Sequence, residues 1–75
     1  MKWKASLYDK RVANFLKERR GAQTYEDFAS RIGLSKSVLF RIENLQQSLT
    51  LAKLDALCKR LRTNPEALFL DKRAK

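Results

Sequence analysis

Four side chains between Ser35 and Asn44 have types and spacing that could do chemistry together: Lys36, Ser37, Phe40 and Arg41. On a helix, at about 100° per residue, Val38, Leu39 and Ile42 centre on one direction. Ser37 and Phe40 then point nearly opposite, flanked by Lys36 and Arg41. The outward face therefore offers two cations, a hydroxyl and an aromatic ring. Lysine and arginine can donate to O6 and N7 of guanine, serine can bond a base or a phosphate, and an apolar ring can pack on thymine methyls. Around this face lie Tyr25, Ser35, Asn44, Gln46, Gln47 and Ser48, polar side chains suited to phosphate oxygens, with Arg31, Lys17 and Arg11 as further cations.

The charge of the whole chain suits the same partner. Seventeen Lys and Arg stand against eight Asp and Glu in 75 residues, for a formal charge of +9. Such an excess favours a polyanion, with nucleic acid ahead of an anionic membrane surface. No stretch approaches the roughly 20 apolar residues of a membrane span, so no membrane association is expected. Met1 to Leu7 is basic without the apolar run of a secretory leader. A single cysteine, Cys58, fits a reducing cytoplasm, where a nucleic-acid-binding chain would sit on the nucleoid.

Other chemistries lack their residues. With no histidine and one cysteine, the usual zinc-ligand sets, Ser-His-Asp triads and Cys-His pairs are excluded. No metal and no cofactor is expected. Glu26 and Asp27 are adjacent and diverge on a helix, so they are not an acid/base pair. Gly21 and Gly33 read as helix stops and not as a phosphate-cradling loop. Ser35, Lys36 and Ser37 resemble a catalytic dyad only in composition. An enzyme is not expected.

The elements that must position the outward face are all helical, and the length fits a single domain over residues 1–75. The first helix is expected from about Tyr8 to Arg20, with Ser6 as its cap, Asp9 in a weak capping box, and Val12, Phe15 and Leu16 inside. Thr24 caps the second helix, whose inner face is Phe28, Ala29 and Ile32. Gly33 reverses the chain, Leu34 tucks into the turn, and Ser35 caps the third helix. Thr50 caps the fourth, in which Leu51, Leu54, Leu57, Cys58 and Leu61 recur at helical spacing. Asn64 and Pro65 start a short fifth helix carrying Leu68 and Phe69. The fourth and fifth helices should span about 50–70, and residues 71–75 form a basic tail.

In this register the chain resembles the Cro and lambda-repressor (XRE) type of helix-turn-helix. The resemblance is carried by Thr24-Tyr25-Glu26-Asp27-Phe28-Ala29, Gly33-Leu34-Ser35, Leu39 and Arg41-Ile42-Glu43. It continues through Thr50-Leu51, Leu54, Leu57 and Leu61 to Leu68-Phe69. It implies an all-α, five-helix domain with its helix-turn-helix core at 24–44. It also implies a homodimer that binds a near-palindromic operator in double-stranded DNA, most often to repress transcription. Small proteins of this type serve phages, restriction-modification systems and toxin–antitoxin pairs, and one so short should respond to its own concentration.

Four departures from the family pattern stand out. Tyr25 occupies the position of a family glutamine that touches a phosphate. Leu45 replaces the usual glycine and Leu49 a frequent proline, which predicts an altered path after the third helix. The link from Gly21 to Gln23 is one residue longer than usual. Glu43 resembles a family glutamate that pairs with a cation of the first helix. Lys17 is the first expected partner and Arg20 the second, in a surface pair contributing about 0–1 kcal/mol.

The C-terminal apolar residues Leu61, Leu68, Phe69 and Leu70 exceed what one short helix can bury, so they are expected to form the dimer interface. The alternative is an antitoxin or adaptor of the same fold, whose main task is a protein partner bound through that apolar end.

Overall fold

The computed structural model describes residues 5–68. Four α-helices follow one another: α1 (Leu7–Arg20), α2 (Tyr25–Ile32), α3 (Lys36–Glu43) and α4 (Leu51–Arg60). A 3-10 helix, Pro65–Leu68, follows them. The described residues contain no strand. The expected fifth helix is thus a single 3-10 turn, opened by Asn64 Oδ1 accepting the Glu66 N–H at 3.1 Å. Residues 69–75, which include the expected interface residues Phe69 and Leu70 and the basic tail, lie outside the described set.

Each α-helix starts on a side chain that satisfies a backbone donor otherwise left without a partner. The Ser6, Thr24, Ser35 and Thr50 hydroxyls accept the backbone N–H of Asp9, Asp27, Val38 and Lys53. At Ser6 the box is complete, because the Asp9 carboxylate accepts the Ser6 N–H at 2.8 Å. Asp9 lies one helical turn from Val12 and Ala13, on the buried stripe of α1, and it is itself buried.

The core gathers Val12 and Leu16 of α1, Phe28, Ala29 and Ile32 of α2, Leu39 and Ile42 of α3, and Leu54, Leu57 and Cys58 of α4. Leu49, from the loop before α4, joins them. Leu51 does not: it was expected on the inner face of α4 but is 67% exposed at the first position of the helix. Helix α3 packs on both α1 and α2, and α2 packs on α4. The small Ala29, 1% exposed, permits the close approach of α2 to its neighbours. Between α2 and α3, Gly33 takes φ 82°, a left-handed conformation that costs a glycine little. Its N–H and that of Leu34 both bond to the Ala29 carbonyl, at 2.9 and 3.0 Å.

Two other helices end the same way without glycine. Leu45 after α3 has φ 59°, and Arg62 after α4 has φ 56°. At the first, the Leu45 N–H bonds to Ile42 O and the Gln46 N–H to Arg41 O; at the second, Arg62 N–H bonds to Lys59 O and Thr63 N–H to Cys58 O. This paired 5→2 and 6→1 pattern is the Schellman closure. Leu45 therefore holds a left-handed backbone shape that a glycine would take at lower cost.

Candidate nucleic-acid interface

Helix α3 turns Leu39, Ile42 and Glu43 into the core and leaves Lys36, Ser37, Phe40 and Arg41 exposed. Those four residues, with Gln46 from the following loop, line one open groove on the surface. The four side chains expected to read bases are thus brought together on one face.

Phe40 is 45% exposed, and its ring is supported from behind. Tyr25 meets it edge-on, with ring centroids 5.4 Å apart and planes at 71°. Behind Tyr25 lies the Arg20 guanidinium, 4.2 Å from the ring centroid. Arg20 in turn holds Glu43: its Nε donates to Oε2 at 3.0 Å and its Nη2 to Oε1 at 3.1 Å, while Nη1 donates to Gln23 O at 3.1 Å. One line of contacts therefore runs from a buried carboxylate on α3, through α1 and α2, back to the exposed ring on α3.

The partner of Glu43 is Arg20 and not Lys17. The reason is helical phase. Arg20 continues the stripe of Val12 and Leu16 at steps of four, whereas Lys17 lies about 100° away from Leu16. Nor is the pair a surface one, because Glu43 is 0% and the Arg20 side chain 21% exposed. Hydrogen bonding to Glu43 pushes the Arg20 guanidinium still higher than its ordinary range, so it is always charged.

The residues expected at phosphates divide by how they are held. Gln46 is exposed at the groove edge. Ser35 is exposed, and its oxygen caps α3. Asn44 Nδ2 donates to Phe40 O at 2.8 Å, which ties it to the end of the helix. Arg31 Nη1 donates to Gln23 Oε1 at 3.2 Å. Tyr25 is half-buried between Arg20 and Phe40. Lys17 is exposed and Arg11 half-buried, both on α1. Gln47 accepts a bond from Arg41 Nε at 3.0 Å. The Ser48 hydroxyl donates its one proton to Asp9 Oδ1 at 2.5 Å.

Asp9 was assigned only a capping role from the sequence, but it also anchors this loop. Burial raises its pKa. The hydrogen bonds from Ser48 Oγ, the Ser6 N–H and Ser6 Oγ outweigh that, and the net shift is downward. Beside it the Tyr8 hydroxyl donates to Leu49 O at 2.6 Å, so two adjacent α1 residues hold residues 48 and 49.

The family model for the helix-turn-helix matches residues 16–68, which include all of this geometry from Arg20 to Ser48. The chain belongs to that helix-turn-helix family, of the Cro and lambda-repressor type. This is a family of DNA-binding transcription regulators. Among curated proteins and among solved structures, nothing matches the chain.

Cys58 is wholly buried in the core, and burial pushes its thiol above the ordinary range. The described residues hold no group of three or more His, Cys, Asp or Glu able to bind a metal ion. None of the described helices is long and apolar enough to cross a membrane. Leu61, expected at a dimer interface, is half-buried against the protein's own core. Leu68 closes the 3-10 helix.

Proposed function

We propose that this helix-turn-helix protein is a sequence-specific repressor that binds a near-palindromic operator as a homodimer, in the cytoplasm on the nucleoid. The observation that carries the reading is the groove on α3. Lys36, Ser37, Phe40 and Arg41 converge there on a helix whose opposite side is locked into the core. Lys36 and Arg41 read guanine, Phe40 packs on a thymine methyl, and Ser37 bonds a base edge or an adjacent phosphate. Ser35, Asn44, Gln46 and Tyr25 flank this helix and contact the DNA backbone, with Arg31, Lys17 and Arg11 adding attraction. Two copies related by a two-fold axis, joined through the apolar residues at the C-terminal end, would set their α3 helices about 34 Å apart in successive major grooves.

The test is selection of bound duplexes from a random pool, followed by Arg41→Ala on the selected sequence. The variant should lose about 1–3 kcal/mol there and relax one base step. Binding should weaken with log[salt] at a slope of about −0.9 per neutralised phosphate. A pool that yields no preferred sequence, or a nearly flat salt dependence, refutes the reading.

A further inference from the structure

Gln47 is six residues beyond Arg41, past the end of α3, yet its Oε1 accepts the Arg41 Nε–H at 3.0 Å. The loop that presents it is pinned on both sides. Before it, the turn at Leu45 closes with the Gln46 N–H on Arg41 O at 2.7 Å. After it, Ser48 is bonded to Asp9 at 2.5 Å, and Leu49 is 3% exposed with its carbonyl holding the Tyr8 hydroxyl at 2.6 Å. Gln47 is therefore a half-buried acceptor on a fixed stretch of backbone, and Arg41 is an exposed, long side chain at the groove.

A guanidinium carries five N–H donors in one plane. With Nε–H committed to Gln47, the plane is oriented and the remaining four donors are on the two Nη atoms. Side-on recognition through Nε and one Nη is closed to this arginine. End-on recognition through both Nη atoms remains, and it matches the O6 and N7 pair of guanine.

We propose that Gln47 is a positioning residue for sequence reading, which orients Arg41 for end-on, bidentate recognition of a guanine. The proposal rests on the reading of Arg41 as a base contact. Fixing the side chain before DNA arrives removes part of the rotamer entropy that a free arginine loses on binding, and it does so only for contacts with the correct base geometry. Gln47 thereby acts on preference between bases more than on overall affinity.

The experiment uses the full chain and the duplex it selects from a random pool. The guanine read by Arg41 is the step whose preference disappears in Arg41→Ala. A second duplex carries 7-deazaguanine at that step, which lacks the N7 acceptor. Gln47→Ala should reduce the preference for guanine over 7-deazaguanine by about 3- to 10-fold, the effect of one lost hydrogen bond, with the salt slope unchanged. Gln47→Glu keeps the acceptor and should retain the wild-type preference, while its carboxylate lowers affinity for both duplexes alike. Circular dichroism checks that both variants are folded. A Gln47→Ala variant that loses equally on both duplexes, with its preference between them unchanged, makes Gln47 a contact to the DNA backbone and overturns the proposal. So does a variant that changes neither. If Arg41→Ala relaxes no base step, the reading of Arg41 itself fails, and the role of Gln47 fails with it.

Discussion

Replacing Arg20 by methionine isolates the charge at the centre of the fold. Methionine retains an apolar stem over Tyr25 and removes the guanidinium, so Glu43, 0% exposed, is left without its partner. Two contacts to its carboxylate at 3.0 and 3.1 Å disappear together. Stranding one member of a buried ion pair costs about 3–5 kcal/mol. Native stability runs at roughly 0.05–0.15 kcal/mol per residue, which for a chain of this length is about 4–11 kcal/mol. Arg20→Met should therefore remove between about a quarter and all of the stability, measured as the midpoint of urea unfolding followed by circular dichroism. The double variant Arg20→Met/Glu43→Leu should recover most of the loss, because a buried pair exchanged for apolar side chains is often close to neutral. Lys17→Ala, the partner expected from sequence, should stay within about 0.5 kcal/mol of wild type. A loss below about 1 kcal/mol for Arg20→Met would refute the reasoning, since that is the worth of a solvated surface pair.

Three further outcomes follow from other parts of the fold. Asp9 has a lowered folded pKa, so its contribution is present above the ordinary carboxylate value of 3.8 and is lost as pH falls through the lower folded value. Asp9→Asn should be less stable than wild type at neutral pH and flatten the acid limb of a stability–pH curve below about pH 4, whereas an unchanged limb would assign acid unfolding to other groups. Arg62 is exposed at φ 56°, where a side chain costs roughly 1–2 kcal/mol and glycine loses about 0.5–1 kcal/mol in unfolded-chain entropy. Arg62→Gly should stabilise by about 0.5–1 kcal/mol in urea unfolding, and a loss of stability would mean that the arginine makes up for its strain. Phe69→Asp should remain folded, run as a monomer in light scattering and bind the selected operator far more weakly; a variant that stays dimeric puts the interface elsewhere.

Most of the local structure was legible in the sequence, because caps and helical spacing are written in short stretches of chain. Ser6, Thr24, Ser35 and Thr50 each begin a helix as expected. The outward set Lys36, Ser37, Phe40 and Arg41 follows from the phase of Leu39 and Ile42 alone. What the sequence left open were choices made by packing between distant segments. Lys17 and Arg20 are both cations on α1, and only the stripe through Val12 and Leu16 selects Arg20. The same stripe contains Asp9, so a stricter use of helical phase would have found both the buried Asp9 and the half-buried Arg20. Leu51 looked like a core residue by spacing, but at the first turn of α4 no helix among the described residues covers it. The fifth helix was legible in its start at Asn64 and Pro65, though not in its type, since a single turn carries too little pattern to separate α from 3-10. The pairing of Gln47 with Arg41 depends on a loop reversal at Leu45, where no glycine announces it.

The line from Glu43 through Arg20 and Tyr25 to Phe40 also bears on how such a protein can change its target over generations. Lys36 and Ser37 sit on the solvent side of α3 and contribute nothing to the core, so on the proposed reading exchanging them would alter the readout at little structural cost. Phe40 is different, because its ring is set by Tyr25, and Tyr25 by the arginine that neutralises a buried acid. A different residue at Phe40 would need compensating change on α2 as well. Within the groove, Lys36 and Ser37 are thus open to drift, whereas Phe40 is bound to the history of the fold.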